Sequence, residues 1–589
     1  MHSSILVELK KIVFLAFLFM FLLLAMVVRL TNPLITRPVE TELLMEVDLP
    51  VHNIDSGKNF STIQEAINDN ETLDGHTILV DAGTYYEHVV VSKSLSLVGE
   101  NKDTTIIDGR RNGDEVTVIA NNVVVKGFTV QNSTPYLFGR GIIISNSSNC
   151  YVHGNKVSNN FYGILLDSCT NCSVYDNIVT HQSIIIGYSW NCSLYGNVFY
   201  IGSIILDYSS NCHIYSNTGA SIELRSSSNC YVHDNIVNGR PLGISLDDSS
   251  NCTLRNNTMT NNTYNFDVHG DSLREFIHDI DASNTINGKR VRYLVNQKNL
   301  TINLSTYPDI GYLAVVNSTL ITVEDLALEG NLQGVLLAYV TNSTVKNITA
   351  TSNSHGIRLS HSSNFSVFDN TLARNERGIS LVYCFNGSLY TNTLTKNNIA
   401  ICVWHSSNIS VYGNNATDNS YYANCGGIHL LNSSNCFVYN NDLISNNQGI
   451  YLEKSSNNHV YGNNIKNSKY SGIETWQAWN NTIFHNNFIQ NGLQARVLGP
   501  NVNFWDDDYP SGGNYWSDYI DVDQYSGSYQ NETGSDGIWD HPYIIDENNQ
   551  DNYPIVPEFP TWTPMLLLLI ILTIAIAIYK RRLLKTPIH

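Results

Sequence analysis

The 589-residue chain has few charged side chains, because Asp, Glu, Lys and Arg make up only 14% of it, against about 25% in an average soluble domain. Basic residues are the scarcer group, with 33 Lys and Arg against 52 Asp and Glu, for a net charge of −19. Such a chain repels a polyanion, which argues against nucleic acid as a partner. Hydrophobic residues still make up 42%, which argues against disorder caused by low hydrophobicity and high charge.

The two ends of the chain have the features of membrane segments. Residues 12–28 are 17 consecutive apolar residues that follow Lys10 and Lys11, as in a signal peptide or a short signal anchor. No clear small-x-small cleavage site follows, which favours the anchor. Residues 565–579 are apolar and precede a basic tail, which the positive-inside rule places in the cytoplasm. We therefore predict a hydrophobic helix at each end and an extracytoplasmic location for everything between.

The middle of the chain repeats one phrase of the type Ser-Ser-Asn-Cys-Tyr-Val-His-Gly-Asn twelve times. A second phrase, Gly-Ile-x-Leu, lies between the copies, and the spacing is mostly 22 residues. Each repeat contains two or three short β runs, and none has a helical period. A repeat of this length is typical of a parallel β-helix, in which coils of about 22 residues stack into a solenoid. The copies are residues 147–155, 169–177, 189–197, 209–217, 227–235, 249–257, 362–370, 384–392, 406–414, 433–441, 455–463 and 478–486.

Alternation within the phrase assigns its cysteine to the interior, on the same side as the aliphatic residue two positions later. We interpret this cysteine ladder as a set of small buried hydrophobic side chains. Disulfide bonds between coils are the alternative. A metal or redox role for Cys169 and Cys172 is disfavoured because the repeat already explains the second of them. The ladder comprises Cys150, Cys172, Cys192, Cys212, Cys230 and Cys252.

The last asparagine of the phrase recurs at one turn in every copy, and the chain has 75 asparagines in all. Stacked amides can hydrogen-bond from coil to coil, and Asn tolerates the left-handed backbone that tight bends need. We therefore predict a structural asparagine ladder made of Asn155, Asn177, Asn197, Asn217, Asn235, Asn257, Asn370, Asn392, Asn414, Asn441, Asn463 and Asn486.

These repeats resemble the NosD-like, or CASH-type, family of right-handed parallel β-helix proteins, which bind or hydrolyse carbohydrates. The opening residues 60–67 and 77–85 are similar to the start of pectin-lyase-like chains: a short helix with a Ser61/Gln64 capping box, then the first coil. The resemblance covers roughly residues 59–555 and implies the right-handed twist. Residues 556–560, Val-Pro-Glu-Phe-Pro, resemble the PEF-type sorting signals of archaeal surface proteins, which implies an archaeal source and processing of the C-terminus. About 21 N-x-[ST] sequons agree with an exterior location.

The predicted organisation has seven parts. They are a signal peptide or anchor (1–37), an N-terminal cap with the first coils (38–135), coils (136–262), an insertion (263–312), further coils (313–495), an acidic aromatic module (496–556) and a transmembrane or sorting segment (557–589). The insertion is either structural or an excursion with a binding role, and its residues 288–293, Gly-Lys-Arg-Val-Arg-Tyr, are interpreted as a hairpin strand.

The outward position after each inward aliphatic residue is usually aromatic. A row of rings along a rod could bind sugar rings, and the alternative is an exterior ladder that stacks on itself. The candidates for carbohydrate binding are Tyr175, Tyr195, Tyr215, Tyr390, Tyr412, Tyr439 and Tyr461.

Catalytic motifs are scarce. Asp247 and Asp248 follow a Gly-Ile-Ser-Leu strand, and His355 and Arg358 share another such strand. These four are weak catalytic candidates, since a β-helix hydrolase needs two carboxylates beside a groove and a lyase needs a base with a neutralising cation. The matching motifs of polygalacturonases and alginate epimerases are absent.

Two metals have to be considered. Asp521, Asp523, Asp536 and Asp540 could supply oxygen ligands to calcium, and the alternative for that segment is a capping module. Copper is implied by the family resemblance alone, because the chain has neither paired histidines at metal spacing nor a Met-rich segment.

The sequence therefore predicts an all-β right-handed parallel β-helix, anchored in a membrane and exposed at the cell surface. We expect a non-catalytic cell-surface or carbohydrate-binding protein, whose partner would be a cell-surface or environmental polysaccharide. The alternatives are a polysaccharide lyase or glycoside hydrolase on the same fold, and a NosD-like accessory protein with a copper site.

Overall fold

The computed structural model describes residues 49–135, 139–420 and 426–557, together with Thr573, Ile574 and Ile576. The chain divides into two units, Met1–Leu49 and Pro50–His589, and the elements below belong to the second. Within the described part, no helix is long and apolar enough to cross a membrane. The hydrophobic segment 12–28, nearly all of 565–579 and most of the sorting motif lie outside the described residues, so the predictions made for them stay predictions.

The first half of the fold is a stack of coils, the N-terminal stack, with up to three strands in each coil. Sheet A begins with an antiparallel pair, Val51–Asn53 and Lys58–Phe60, followed by Thr77–Val80, Ser96–Gly99, Val124–Lys126, Tyr151–His153, Ser173–Tyr175, Ser193–Tyr195, His213–Tyr215, Tyr231–His233, Thr253–Arg255 and Asp279–Ile280. Sheet B contains Gly83–Tyr85, Thr105–Asp108, Thr129–Gln131, Lys156–Ser158, Ile178–Thr180, Val198–Phe199, Ile236–Asn238, Thr258–Thr260 and Thr285–Ile286. Sheet C contains Val89–Val91, Val116–Val118, Arg140–Ser145, Tyr162–Asp167, Ile184–Gly187, Ser203–Asp207, Ser221–Arg225, Leu242–Asp247 and Tyr264–His269.

The second half is the C-terminal stack, built in the same way. Sheet D contains Lys289–Val295, Ile310–Val316, Gln333–Ala338, His355–Ser360, Arg377–Val382, Ile399–Trp404, Ile428–Leu431, Gln448–Glu453, Ser471–Trp476 and Leu493–Leu498. Sheet E contains Lys298–Ile302, Thr319–Glu324, Thr341–Lys346, Ser363–Phe368, Phe385–Tyr390, Ser407–Tyr412, Phe437–Tyr439, His459–Tyr461 and Thr482–Phe484. Sheet F contains Ala327–Glu329, Thr349–Thr351, Thr371–Ala373, Thr393–Thr395, Asn415–Thr417, Asp442–Ile444, Asn464–Lys466, Asn487–Ile489 and Tyr515–Trp516.

Strands of successive coils pair in parallel, one repeat apart. Val152 lies beside Val174 and Val411 beside Val438, each pair buried. The six cysteines of the predicted ladder are buried as well, with Cys150 and Cys172 fully so. The pKa of Cys150 is raised well above its usual range by its hydrogen bond to the Cys172 thiol and by burial. The predicted parallel β-helix and the interior position of the cysteines are confirmed.

The predicted asparagine ladder is also confirmed. In each coil the side-chain oxygen accepts the backbone N–H and the side-chain amide of its counterpart in the preceding coil. Asn392, for example, donates both groups to Asn414, over 3.0 and 2.9 Å. Asn414 then donates to the carbonyl of Leu389 at 2.9 Å. The positive φ expected of these residues lies one position earlier, as at Gly413 and Thr391. The sequence reasoning missed a second ladder, formed by Asn331, Asn353, Asn375, Asn397, Asn419 and Asn446.

Segment 263–312, predicted as an insertion, joins the two stacks and contains strands of five of the sheets. The hairpin expected around Gly288 is present: Thr285–Ile286 pairs antiparallel with Arg290 and Lys289, so that sheet D continues sheet B with its strands reversed.

Sheets B and D form one continuous sheet through this hairpin. The side of the sheet that faces the core of its own stack is reversed from sheet B to sheet D. In strand Ile310–Val316, Leu313 and Val315 belong to the core of the C-terminal stack, whereas Tyr312 and Ala314 belong to the core of the N-terminal stack. The outer face of sheet D thus closes the end of the N-terminal stack. The repeat pattern predicted coils interrupted by an insertion at 263–312 and did not predict this change of face.

Each end of the coil array is capped. Helix α1 (Ile63–Asn68) covers the first coils with buried Ile63 and Ile67. Its N-cap is Thr62, whose side chain accepts from the N–H of Glu65 at 3.2 Å, one residue after the predicted Ser61/Gln64 pair. A 3-10 helix, Leu273–Phe276, lies within segment 263–312.

The C-terminal module contains two hairpins, Tyr525–Ser526 with Glu532–Thr533 and Tyr543–Ile544 with Gln550–Asp551. Its Trp516, in the last strand of sheet F, stacks its ring on Phe488 of the preceding strand, with centroids 4.6 Å apart, and on Tyr543 at 4.2 Å. The buried Asp551 accepts from the indole N–H of Trp516 at 2.8 Å, and burial raises its pKa to about 7. These contacts fit the capping alternative for this segment.

We expect Asn486→Ala to destabilise the C-terminal stack by about 2–5 kcal/mol, because it leaves buried polar groups without partners. Asn486 is fully buried, accepts from the N–H of Asn463 at 3.0 Å and donates to the carbonyl of Val460 at 2.8 Å. Equilibrium denaturation measures the effect. The exposed neighbour Asn487→Ala is the control and should change stability by less than about 0.5 kcal/mol. Equal destabilisation by the two variants would contradict a stabilising role for the asparagine ladder.

A second prediction concerns Glu115, which is fully buried and has no hydrogen-bond partner for either carboxylate oxygen among the described residues. Burial raises the pKa of Glu115 from 4.5 to about 9. The folded state therefore keeps a proton that the unfolded state releases, so the stability of the native protein should fall as pH rises between these values. Thermal melts of Glu115→Gln should show a weaker decline over that interval. Parallel profiles for the two proteins would contradict the prediction.

Candidate functional site

The contact between the N-terminal and C-terminal stacks, which we call the joint, brings together side chains from different positions of the repeat. Strand Tyr264–His269, the last of sheet C, lies against the outer face of sheet D, and the rings of Phe266 and Tyr312 meet edge to face at 4.9 Å. Elsewhere in the two stacks, each coil contacts equivalent positions of the neighbouring coils. At the joint, side chains that the repeat directs outward on both stacks become buried against each other.

A polar network holds this contact. The carboxylate of Asp267 accepts from Gln333 Nε2 at 2.6 Å and from Ser245 Oγ at 2.9 Å, and the Tyr312 hydroxyl donates to Gln333 Oε1 at 2.9 Å. Asp267, Gln333 and Tyr312 are all buried. The sequence reasoning missed them because their positions in the repeat predict exposure to solvent.

Three of the four predicted catalytic candidates lie near each other at one end of this strand. Side-chain ligand atoms of Asp247, Asp248 and His269 lie within 4.8 Å of one another. A guanidinium nitrogen of Arg358 lies 3.4 Å from His269 Nε2. Burial and the neighbouring Asp247 raise the pKa of Asp248. His269 was missed, although it lies one repeat after Asp247 and pairs with it in sheet C.

The fourth candidate, His355, contacts Arg377 and not the Asp247–Asp248–His269 cluster. It is buried, and its Nε2 lies 3.3 Å from a guanidinium nitrogen of Arg377. Burial, Arg358 and Arg377 hold the pKa of His355 well below its usual range. His355 is therefore a neutral group within the joint and not part of the Asp247–Asp248–His269 cluster.

A cleft of about 510 Å³ opens at the other end of the same strand, beside Tyr264. The Tyr264 hydroxyl donates to Glu376 Oε1 at 3.0 Å, and Ser354 donates to Oε2 at 2.7 Å. Arg374 and Lys396 are exposed at the cleft and make no ion pair with any described residue. The cleft therefore combines one carboxylate that accepts two hydroxyl hydrogen bonds with two cations that make no ion pair with a described residue. It is lined by Thr263, Tyr264, Ser352, Arg374, Asn375, Glu376, Lys396 and Asn398.

The predicted tyrosine platform is a self-stacked ladder. The rings of Tyr175 and Tyr195 are parallel within 3° with centroids 4.7 Å apart, and Tyr215 continues the stack at 4.8 Å. The rings of Tyr390, Tyr412, Tyr439 and Tyr461 stack in the same way, at 4.9–5.0 Å. Each ring covers the face of the next, so the faces that a sugar would need are already occupied. This geometry favours the alternative of an exterior ladder.

The four aspartates predicted as calcium ligands act as acceptors within turns. Asp523 accepts from the N–H groups of Asp536 and Gly537, each at 3.1 Å. Asp540 accepts from the N–H of Tyr525 at 3.0 Å, and Asp521 from that of His541 at 3.0 Å. Among the residues the structure describes, they do not form a group of three that converges on one point. Calcium binding by them stays a prediction.

The family model described as "Periplasmic copper-binding protein (NosD)" matches residues 69–204, 277–448 and 405–520, together more than half of the chain. A second model, described as "Right handed beta helix region", matches residues 140–287. The chain therefore belongs to the NosD family of right-handed parallel β-helix proteins, which confirms the family and the handedness predicted from the repeats.

The chain is similar to a "Cell surface glycoprotein" of Methanothermus fervidus, with 35% identity over 112 residues. That match covers 19% of this chain and 18% of the relative, so the chain spans about a fifth of the relative's length. Among solved structures, the periplasmic alginate epimerase AlgG is 11% identical over 80% of this chain and 98% of its own, with a TM-score of 0.30. A pectin methylesterase from Yersinia enterocolitica is 13% identical over 40% and 92%, with a TM-score of 0.23. Likenesses this distant carry no information on activity.

Copper, which the family description implies, does not fit the described residues well. Asp247, Asp248 and His269 form the one group of three potential ligands among them, and it offers two oxygens and a single imidazole, whereas copper sites favour several imidazole or sulfur ligands. Arg358 also brings a positive charge next to that imidazole. The ladder cysteines are buried, and the contact with Cys172 and burial raise the pKa of Cys150, which disfavours the thiolate form that ligates metal.

We expect Arg358→Met to weaken the joint by about 1–3 kcal/mol, because it removes a positive charge that acts on the buried Asp267 carboxylate from beyond ion-pair distance. Arg358 is 7% exposed, and burial lowers its pKa while the charge of Asp267 opposes that change. The double variant Asp267→Asn/Arg358→Met should recover part of the loss in denaturation experiments, and the exposed Arg274→Met should cost little. A double variant no more stable than the single one would contradict the coupling.

Proposed function

We propose that the protein is an extracytoplasmic β-helix protein of the cell surface that binds an acidic polysaccharide in the cleft beside Tyr264, without turning it over. The location is supported by the similarity to a cell surface glycoprotein, by the word "periplasmic" in the family description and by about 21 sequons. Anchoring through the hydrophobic terminal segments, which the sequence predicts, is part of the same proposal.

The observation that carries the ligand class is the pair Arg374 and Lys396, two cations without an ion-pair partner among the described residues, at the edge of a cleft of about 510 Å³. A volume of this size is in the range of ligand sites, about 300–1,000 Å³. Guanidinium and ammonium groups bind carboxylates and sulfates by charge-assisted hydrogen bonds. The ring of Tyr264 adds an apolar surface at one wall. A uronate-containing chain supplies both an anion and a sugar ring.

The net charge of −19 opposes a polyanion in general. Binding should therefore depend on the local cations and weaken as salt rises, since screening removes exposed electrostatic attraction first. A neutral glucan would gain nothing from Arg374 or Lys396.

A second candidate function is a polysaccharide lyase or hydrolase centred on Asp248 and His269, favoured by their convergence with Asp247 next to Arg358. The raised pKa of Asp248 suits a group that donates a proton. The carboxylate oxygens of Asp247 and Asp248 lie within 4.8 Å of each other. This is closer than the separation of about 6.5–9.5 Å that inverting glycosidases use, so the pair does not match an inverting hydrolase.

We expect the full chain to be retained on immobilised polygalacturonate or alginate and not on neutral glucan. Arg374→Ala/Lys396→Ala should weaken retention about tenfold or more for each cation removed. The control Lys298→Ala/Lys466→Ala changes net charge equally at positions away from the cleft. Equal retention of the two double variants would contradict the cleft.

The same preparations separate the two functions when they are assayed for new reducing ends and unsaturated uronates. The proposed binding protein releases neither. Turnover by the native chain that disappears in Asp248→Asn and His269→Gln would overturn the non-catalytic proposal and support the second candidate.

A further inference from the structure

Most coils place an asparagine in the left-handed conformation just before, or at the second residue of, the strand of sheet A or E, and these asparagines form a largely exposed column. In the coil between Asn299 and Asn342, Leu320 takes this position. The column asparagines have φ between 51° and 57°, a region that Asn tolerates and most residues avoid. The column contains Asn122, Asn149, Asn171, Asn191, Asn211, Asn229, Asn251, Asn299, Asn342, Asn364, Asn386, Asn408, Asn435, Asn457 and Asn480.

Sequons are concentrated in this column. The residue two positions after each column asparagine lies on the outer face of its strand, where Ser and Thr are frequent, while the residue between them points inward. Asn364, for example, is exposed, Phe365 is buried and Ser366 is half-buried. Nine column positions are complete sequons: Asn171, Asn191, Asn251, Asn299, Asn342, Asn364, Asn386, Asn408 and Asn480.

The buried ladder asparagines supply an internal comparison. None of the twelve predicted members is the acceptor asparagine of a sequon, because the residue two positions later generally points into the core, such as Leu372 after Asn370 and Leu394 after Asn392. An abundance of asparagine alone would give both columns sequons at similar rates. The backbone geometry therefore directs the acceptor sequence to one exposed edge.

We infer that this edge is the N-glycosylation edge of the protein, and that glycans occupy it in alternation, so that two sequons in adjacent coils do not carry glycans at the same time. The inference rests on the proposed extracytoplasmic location. Asn342, Asn364, Asn386 and Asn408 occupy four successive coils, and strands of adjacent coils are about 4.8 Å apart.

The side-chain contacts between coils give the reason for alternation. Asn408 Nδ2 lies 3.3 Å from Asn386 Oδ1, and Asn191 Nδ2 lies 2.7 Å from Asn171 Oδ1. The amide that would receive the sugar is thus in contact with its neighbour. A sugar on one Asn projects over the next amide and blocks a second sugar there.

Trypsin makes the test direct, because it separates neighbouring sites. Cleavage after Lys346, Arg358, Arg374, Arg377 and Lys396 places Asn364 and Asn386 on two different peptides, each with one sequon. A third peptide, residues 347–358, carries the sequon Asn347 from outside the column and is the internal control. Mass spectrometry of the full chain, purified from cells that glycosylate N-x-[ST], gives the occupancy of each site.

In the native chain we expect the fractional occupancies of Asn364 and Asn386 to add up to no more than one. Ser366→Ala removes the Asn364 sequon without changing the asparagine, and should raise occupancy of Asn386 about twofold, because it frees a neighbour one strand spacing away. Asn364→Gln should act in the same way. Asn347→Gln should leave Asn386 unchanged.

Two outcomes would overturn the inference alone: occupancy near one at both Asn364 and Asn386, or a bare column in a protein whose Asn347 is glycosylated. A chain without glycan at any sequon would overturn the inference and also count against the proposed location. The failure of the inference and the failure of the location are therefore distinguishable.

Discussion

The rest of the structure depends on the hydrogen bonds that each coil makes with the next. Every coil presents the same positions about 4.8 Å from their counterparts, so a side chain chosen for one coil faces its own kind in the next. Like charges at that spacing repel, whereas amides, thiols and aromatic rings can stack. The low charge and the 75 asparagines follow from this constraint. The buried amides continue the backbone pairing at the turn, where strands end.

A perfect repeat presents the same surface in every coil, so a site that differs from the rest requires an interruption of the repeat. The hairpin at Gly288 supplies one by exchanging the inner and outer faces of the sheet. Its consequence is a joint in which Asp267, Gln333 and Arg358 are buried although the repeat places them outside. The acidic cluster with His269 and the cleft with Arg374 lie at the two ends of one strand in this joint. Binding and catalysis alike would depend on the irregular segment.

Local features of the sequence predicted local structure well. The inward cysteines, the coil-to-coil asparagines and the hairpin strand all follow from alternation and turn chemistry, and the structure has them. The capping box was placed one residue early, because Ser61 and Thr62 are both good N-caps and only the backbone decides between them. Tyr195 was compatible with two roles, since the sequence specifies the side of the strand and not the angle between rings.

The sequence by itself determined the coil, its period and which side chains face the core, because these depend on alternation along one strand and on neighbours one repeat away. It also determined the exposed column of sequons, since turn conformation and strand alternation are both local. Only the tertiary structure decided that His269 meets Arg358, and that Tyr264 meets Glu376. Those contacts join residues about 90 to 110 positions apart, and their pairing depends on where the sheet reverses its face, which no repeat specifies.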